Sequence, residues 1–394
     1  MIENHTFNLR KILNERFGDE LRYFPVAFGL LLLFIFFSIQ SDVFFTSRNI
    51  NNLLIQSTVT GIIALGLVFV LLVGEIDLSV AATSGVASVL MSKLIVDFGI
   101  PIPISIFLGI CSGVLVGMIS GRWITLIGVP SFVVTLGAGM LLNGIQLLLL
   151  PRTGRYNLLN TGVDKIASTY ISGFYSLFLV IITIIIYSLF KFFTLRSRLK
   201  VGLSTSYLQD FFIPLGFVSF FIIGTYLFLI NLKGIPMPVI IFLFLLFISS
   251  YIVNNTKFGL SLYAIGNNIE GARRAGINVN RIKLLAFAIA GGFSACAGIL
   301  AASRILGVSV SSGGGIGGGS LLLESIAAAV IGGVSLFGGR GKIIGALFGA
   351  LIIATVSNGL NLMGVGNELK LVVTGLLLIL AVSADKGLER FTNV

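Results

Sequence analysis

Three carboxylic acids interrupt stretches that are otherwise apolar: Glu75 and Asp77 within Gly74-Glu75-Ile76-Asp77-Leu78-Ser79, and Glu324 within Leu321-Leu322-Leu323-Glu324-Ser325. An acid facing lipid at the bilayer centre is unfavourable by ~2.5–3.5 kcal/mol on insertion scales, so each must pair, cap a helix or line water. Asp77 with Ser79 suits a cap for the segment that follows. Glu75 and Glu324 admit either a partner inside a helix bundle or a face on an aqueous route. The working reading is that the Glu75–Ser79 break and Glu324 border a translocation pathway. The alternative is an ion-coupled secondary transporter or channel that uses Glu75, Asp77 and Glu324 as a proton or cation relay through broken helices.

Other chemistries fail on residue supply. His5 is the single histidine, and Cys111 and Cys296 are the two cysteines, both inside apolar runs. No metal cluster, disulfide framework or nucleophile-base pairing can be assembled from them, so no catalytic residue, cofactor or metal is expected in this chain. No Gly-x4-Gly-Lys-Ser/Thr phosphate cradle occurs; Gly338-Gly339-Arg340-Gly341-Lys342 has the wrong spacing, and Ile343 follows the lysine. Gly313 to Gly319 follows a helical pattern rather than a strand, which removes a dinucleotide site.

The elements that hold the acids follow from composition. Of 394 residues, 56% are hydrophobic and 10% charged, whereas soluble domains are about 25% charged. The expected fold is all-α: a polytopic integral membrane bundle with ten to twelve transmembrane helices, each needing ~20 mostly apolar residues. Spans are predicted near 24–39, 54–73, 79–96, 102–120, 131–150, 174–190, 211–230, 235–253, 284–303, 321–337, 343–360 and 369–384. Broken or re-entrant helices are expected near 74–79 and 338–342. Gly113, Gly117 and Gly121, and again Gly341, Gly345 and Gly349, recur at a spacing that lets two helices approach closely in lipid. Residues 1–23 are polar, carry no signal-peptide pattern, and place Leu9, Ile12, Leu13, Phe17 and Leu21 at the spacing of an amphipathic helix on the cytoplasmic membrane surface. The permease domain then spans 24–384, with a tail over 385–394.

A net charge of +11 follows from cations collecting in cytoplasmic loops while apolar stretches exclude acids, so no nucleic-acid partner is implied. With both termini in the cytoplasm, most of the 26 Lys and Arg residues fall inside, including the rich segments 191–210 and 254–283. Trp123, beside Arg122 in the expected loop before the fifth span, suits an interfacial anchor.

The 254–283 loop contains Tyr263-Ala264-Ile265-Gly266-Asn267-Asn268-Ile269-Glu270-Gly271-Ala272-Arg273-Arg274-Ala275-Gly276-Ile277. Asn267 or Asn268 can cap a helix, Glu270 sits in its favourable first turn, Arg273 and Arg274 fall later, and Gly276 suits the left-handed residue at its end. A helix this short is not stable alone, which implies something outside the membrane to rest on. An ion-driven carrier has no evident use for it.

This loop resembles the ATPase-coupling segment of the permease subunits of bacterial ABC importers for monosaccharides, the ribose, galactose and xylose type. Phe44-Phe45-Thr46 with Asn49 and Asn52-Leu53-Leu54 resembles that family's first external loop. Glu75-Ile76-Asp77-Leu78-Ser79-Val80 is similar to its signature after the second span. Val129-Pro130-Ser131-Phe132-Val133-Val134-Thr135-Leu136 is similar to the start of its fifth, and adds Pro130 and Ser131 to the pathway candidates. Glu324-Ser325-Ile326-Ala327-Ala328, Gly332-Gly333, Ser335-Leu336 and Gly338-Gly339 continue the pattern. Glu75 and the Gly234-Ile235-Pro236-Met237-Pro238 turn resemble the xylose-type branch most; the glycine-rich 313–319 stretch departs from the family's usual external loop. The resemblance implies a bacterial inner-membrane subunit that lines the sugar route, works as a homodimer and receives a monosaccharide from an extracytoplasmic binding protein. A cytoplasmic ABC ATPase, which binds the ATP and Mg, would dock on Gly266, Asn267, Glu270, Ala272, Arg273, Arg274, Gly276 and Ile277.

Overall fold

Long apolar runs become helices because a backbone in hydrocarbon must satisfy its own N–H and C=O groups. The computed structural model describes residues 24–200, 202, 206–230, 233–314 and 320–392; the expected amphipathic segment over 1–23, with His5, and residues 315–319 lie outside the described residues. The main helices are α1 (Phe24–Gln40), α2 (Ser47–Leu72), α3 (Val80–Val96), α4 (Ile102–Ile127), α5 (Ser131–Leu149), α6 (Asp164–Ser168), α7 (Gly173–Lys200), α8 (Ile213–Ile230), α9 (Met237–Asn255), α10 (Lys257–Asn267), α11 (Ile269–Arg274), α12 (Val279–Arg304), α13 (Leu321–Ile331), α14 (Ile344–Leu362) and α15 (Asn367–Thr392). Among the described residues eight helices are long and apolar enough to cross a membrane, with α1, α3 and α13 shorter apolar helices beside them.

The centre of the bundle is α2, buried at every position from Ser57 to Val73, with α12, α14, α13 and α9 packed around it. Helices α7 and α8 lie outside this core and expose Phe174, Phe178, Ile185, Phe193 and Phe220, as lipid-facing helices should. Glycine sets the tightest contact. A Cβ at Gly113 or Gly117 of α4 would run into the carbonyls of Gly291 and Phe287 on α12, and one at Gly345 or Gly349 of α14 into those of Gly332 and Ala328. Gly341 is not part of that second stripe: it lies before α14 with φ +135.

Several boundaries differ from the sequence expectation. Helix α2 starts at Ser47, where Thr46 caps it by accepting the Asn49 N–H at 3.3 Å, a polar turn that hydropathy passes over. Helix α4 continues to Ile127, so Arg122 and Trp123 are helical rather than in a loop; the left-handed Gly128 (φ +78) and Pro130 end it. Helix α13 stops at Ile331 instead of 337, because Gly332 and Gly333 (φ +86) turn the chain into an irregular segment that reaches Ile343. Residues 385–392, expected as a tail, continue α15.

At the end of the bundle where α2 begins, short strands tie the connections down. Strand β1 (Arg155–Asn157) pairs antiparallel with β4 (Gly307–Ser309), and β2 (Tyr170–Ile171) with β3 (Ile235–Pro236). Nearby, Asn49 and Asn358 exchange amide hydrogen bonds of 2.9 and 3.0 Å, joining α2 to α14.

Candidate translocation and coupling site

The break after α2 is held open by side chains. Gly74 (φ +76) and Glu75 fold back, their N–H groups donating to Leu71 at 2.9 Å and Val70 at 3.1 Å. The next donors find no helix partner and turn to α5. The Ile76 N–H reaches the Ser131 hydroxyl at 3.1 Å, and the Leu78 N–H reaches that of Thr135 at 3.0 Å. Irregular backbone at membrane depth needs this kind of partner. Pro130 is the residue before α5 and fixes its entry.

Asp77 is buried, and one of its carboxylate oxygens accepts both the Ser79 N–H at 2.8 Å and the Ser79 hydroxyl at 2.6 Å. The expected side-chain cap of α3 is therefore not made: Ser79 is the cap position, but its hydroxyl is turned towards Asp77 and makes no bond to the helix N–H groups, and the Asp77 carboxylate is used up on Ser79 itself, ahead of the helix.

Glu75 is ion-paired with Lys283 in the second turn of α12, and both are mostly sheltered from solvent. The pair borders a cavity of about 250 Å³ that Thr125, Pro130, Arg273 and Asn280 also line. Glu324 is elsewhere. It lies in the first turn of α13, partly buried; its backbone N–H donates to Ser320 O at 2.8 Å, and no partner for its carboxylate is found among the described residues. Roughly 12 Å of helix rise, at 1.5 Å per residue, separates it from Gly332, whereas Gly74 approaches Gly338 beyond that end. The three acids thus do not form one continuous chain of carboxylates, and among the described residues no group of His, Cys, Asp or Glu could hold a metal ion.

The 254–283 segment folds as two helices rather than one. Thr256 caps α10 through the Gly259 N–H at 3.2 Å, and Asn268 caps α11 through the Gly271 N–H at 2.8 Å. Asn267 is the last residue of α10, and its amide donates to the carbonyls of Tyr263 at 2.9 Å and Gly339 at 3.3 Å. Gly276 (φ +80) ends α11, with its N–H on Arg273 O at 2.9 Å and the Ile277 N–H on Ala272 O at 3.0 Å. Glu270 and Arg273 pair at 2.8 Å on the exposed face, Arg274 is exposed, and Ala272 is the one buried residue of α11.

Gly266 is no part of that exposed face. It is the point where α10 crosses the end of α2: a Cβ there would overlap the Leu72 carbonyl and the Gly339 N–H. Those two groups bond to each other at 3.0 Å, and the Tyr263 hydroxyl donates to Gly341 O at 2.7 Å. Helix α10, the end of α2 and the 338–341 turn therefore meet in one backbone junction, directly beside the Glu75–Ser79 break. Lys283, Thr135 and Tyr263 were not singled out by sequence reasoning. The signal for Lys283 was a cation already inside the apolar start of one span, past Arg281, with Glu75 at the mouth of another.

The architecture is thus a polytopic helical bundle with a break after its central helix and an exposed capped helix tied to that break. The chain belongs to the family described as branched-chain amino acid transport system / permease component, whose family model matches residues 49–382. Relatives include the xylose transport system permease protein XylH of Haemophilus influenzae, 34% identical over 294 residues, covering 74% of this chain and 78% of the relative. The ribose import permease protein RbsC of Bacillus subtilis is 35% identical over 285 residues, 72% of this chain and 70% of the relative. The D-allose permease AlsC of Escherichia coli is 29% identical over 275 residues, 70% and 65% respectively. No solved structure matches. These likenesses, with the eight long apolar helices, make the chain a multi-pass membrane permease of the ABC monosaccharide type.

Proposed function

We propose that the chain forms the pathway of a xylose importer in the bacterial inner membrane, with both termini cytoplasmic. A second copy would complete the route, an extracytoplasmic binding protein would deliver the sugar, and a separate ATPase subunit, holding ATP and Mg, would drive it. The observation that carries this reading is the pairing of an exposed α11 with a buried junction. Helix α11 presents Glu270, Arg273 and Arg274 outward, and α10 behind it is bonded to the end of α2 through Asn267, Gly339 and Leu72. A push on such a helix is transmitted to the break rather than absorbed by a loop. Xylose is favoured by the likeness to the xylose permeases.

Reconstitution into liposomes tests the reading. Labelled xylose uptake is expected with the ATPase and binding protein present and ATP inside, and not with the permease alone; ribose and allose should compete poorly. Uptake by the permease alone down an ion gradient would refute ATP-driven import and favour the relay alternative. Glu75→Gln and Glu324→Gln should each reduce uptake, and full uptake by both would remove these residues from the pathway.

A further inference from the structure

Two physical routes lead from α11 into the bundle. One passes back through α10 to the junction at Gly266. The other runs forward along the chain. Gly276 turns the backbone, and the Asn278 side chain caps α12 by accepting the Arg281 N–H at 3.0 Å. Lys283, in the next turn of the same helix, meets Glu75. Glu75 in turn sits in a backbone whose neighbours Ile76 and Leu78 are held by Ser131 and Thr135 of α5. The pair is therefore the side-chain bridge between the helix that follows α11 and the break that starts α3.

A sheltered ion pair contributes little stability over an apolar pair of similar size, and its best-attested use is to fix the register of two elements. This one has an additional property. The charges border a cavity of about 250 Å³ whose lining includes Thr125, Asn280 and Arg273, so carboxylate and ammonium can each be solvated when they part. A bond that is satisfied closed and tolerated open is a two-position element, which transmission of motion requires. Arg273 reaches the same cavity from α11 itself, so displacement of α11 alters the surroundings of the pair directly.

We propose that Lys283 is a positioning residue for transport: through its ion pair with Glu75 it conveys displacement of α11 and the start of α12 to the helix break. This rests on the ATP-driven reading above. Lys283 touches the acid that shapes the pathway, and is assigned no contact with sugar.

The test measures ATP hydrolysed per sugar imported in liposomes holding the permease, its ATPase and the binding protein. A purely structural Lys283 would, on replacement, reduce hydrolysis and uptake together and leave that ratio unchanged. Lys283→Met is expected to lower uptake at least tenfold while hydrolysis falls less than threefold. Lys283→Arg should restore the ratio to within threefold of wild type, and the exchange Glu75→Lys with Lys283→Glu should recover more uptake than either single change. An unchanged ratio in Lys283→Met, or no recovery in both Lys283→Arg and the exchange, overturns the proposal. Should Lys283→Met fail to insert, Lys283→Gln, which also removes the charge, decides by the same limits. Wild-type uptake without the ATPase marks failure of the underlying reading instead, because the ratio then has no meaning.

Discussion

Gly266→Ala is the smallest change that tests the junction. The added methyl would overlap the Leu72 carbonyl oxygen and the Gly339 nitrogen, and would sit 2.9 Å from Gly339 Cα. All three are backbone atoms, so no side chain can rotate away. Full relief requires α10, the end of α2 and the 338–341 turn to separate from one another, which lengthens the Gly339 to Leu72 bond, the Asn267 to Gly339 bond and the Tyr263 to Gly341 bond. Overpacking costs ~1–3 kcal/mol, three hydrogen bonds cost about 1 kcal/mol each if fully opened, and alanine returns about 1 kcal/mol of helix propensity. The expected destabilisation is about 3–5 kcal/mol with the junction opened, and about 1–3 kcal/mol if a single bond gives. Gly276→Ala is the contrasting variant: open space surrounds that position, and its positive φ alone costs ~1–2 kcal/mol. Chemical unfolding in detergent, read beside ATP-dependent uptake in liposomes, separates the two. Gly266→Ala should lose uptake more than tenfold, even in the folded fraction. Stability within about 0.5 kcal/mol of wild type together with normal uptake would refute the close backbone crossing.

Exchanging Glu270 and Arg273 keeps an exposed pair and should leave unfolding within ~0.5 kcal/mol of wild type, while reversing the charge pattern offered to the proposed ATPase partner and abolishing ATP-dependent uptake; retained uptake would refute the proposed docking role of α11. Asn49→Ala or Asn358→Ala each orphans a buried amide and should destabilise by ~1–3 kcal/mol. The Asn49→Ala, Asn358→Ala double variant should show a coupling of about 1 kcal/mol when those two singles close the double-mutant cycle, and additive effects would deny the reciprocal bond. At the opposite end of α3, the Tyr156 hydroxyl donates to Asp97 at 2.6 Å, and Lys93 adds a second partner. These bonds hold the Asp97 carboxyl below the usual carboxylate range, the tyrosine bond being the larger cause. A lowered carboxyl stabilises the fold above its unfolded pKa and ceases to as pH falls through the folded value. The melting-temperature advantage of wild type over Tyr156→Phe should thus be full near about pH 6 and shrink below about pH 4; an advantage unchanged at lower pH would contradict the assignment.

What the sequence shows plainly is what depends on local chemistry. The break at 74–79 is announced by Glu75 and Asp77 in an apolar run, the cap of α11 by the Asn pair, and its end by Gly276. The close crossing of α4 and α12 is announced by the Gly113–Gly117 spacing on α4, although its partner surface on α12 is not. What the sequence hides depends on which remote groups meet. Gly266 resembles any glycine near a helix end until α2 and the 338–341 turn are brought against it. Thr135 lies one turn beyond Ser131 on an apolar helix, where its hydroxyl would ordinarily bond back to its own helix. It does so, to the Ser131 carbonyl at 2.8 Å, and its second role as acceptor for Leu78 exists only because the break lies alongside. The split between α10 and α11 likewise follows from Asn267 being drawn to Gly339, which leaves Asn268 to begin the next helix. Gly266 answers to backbone dozens of residues away, and Thr135 and Asn267 to polar partners equally remote. A long-range demand of this kind is set by the fold as a whole, and for that reason the backbone junction at Gly266 emerges from packing while the break beside it can be read in one line of sequence.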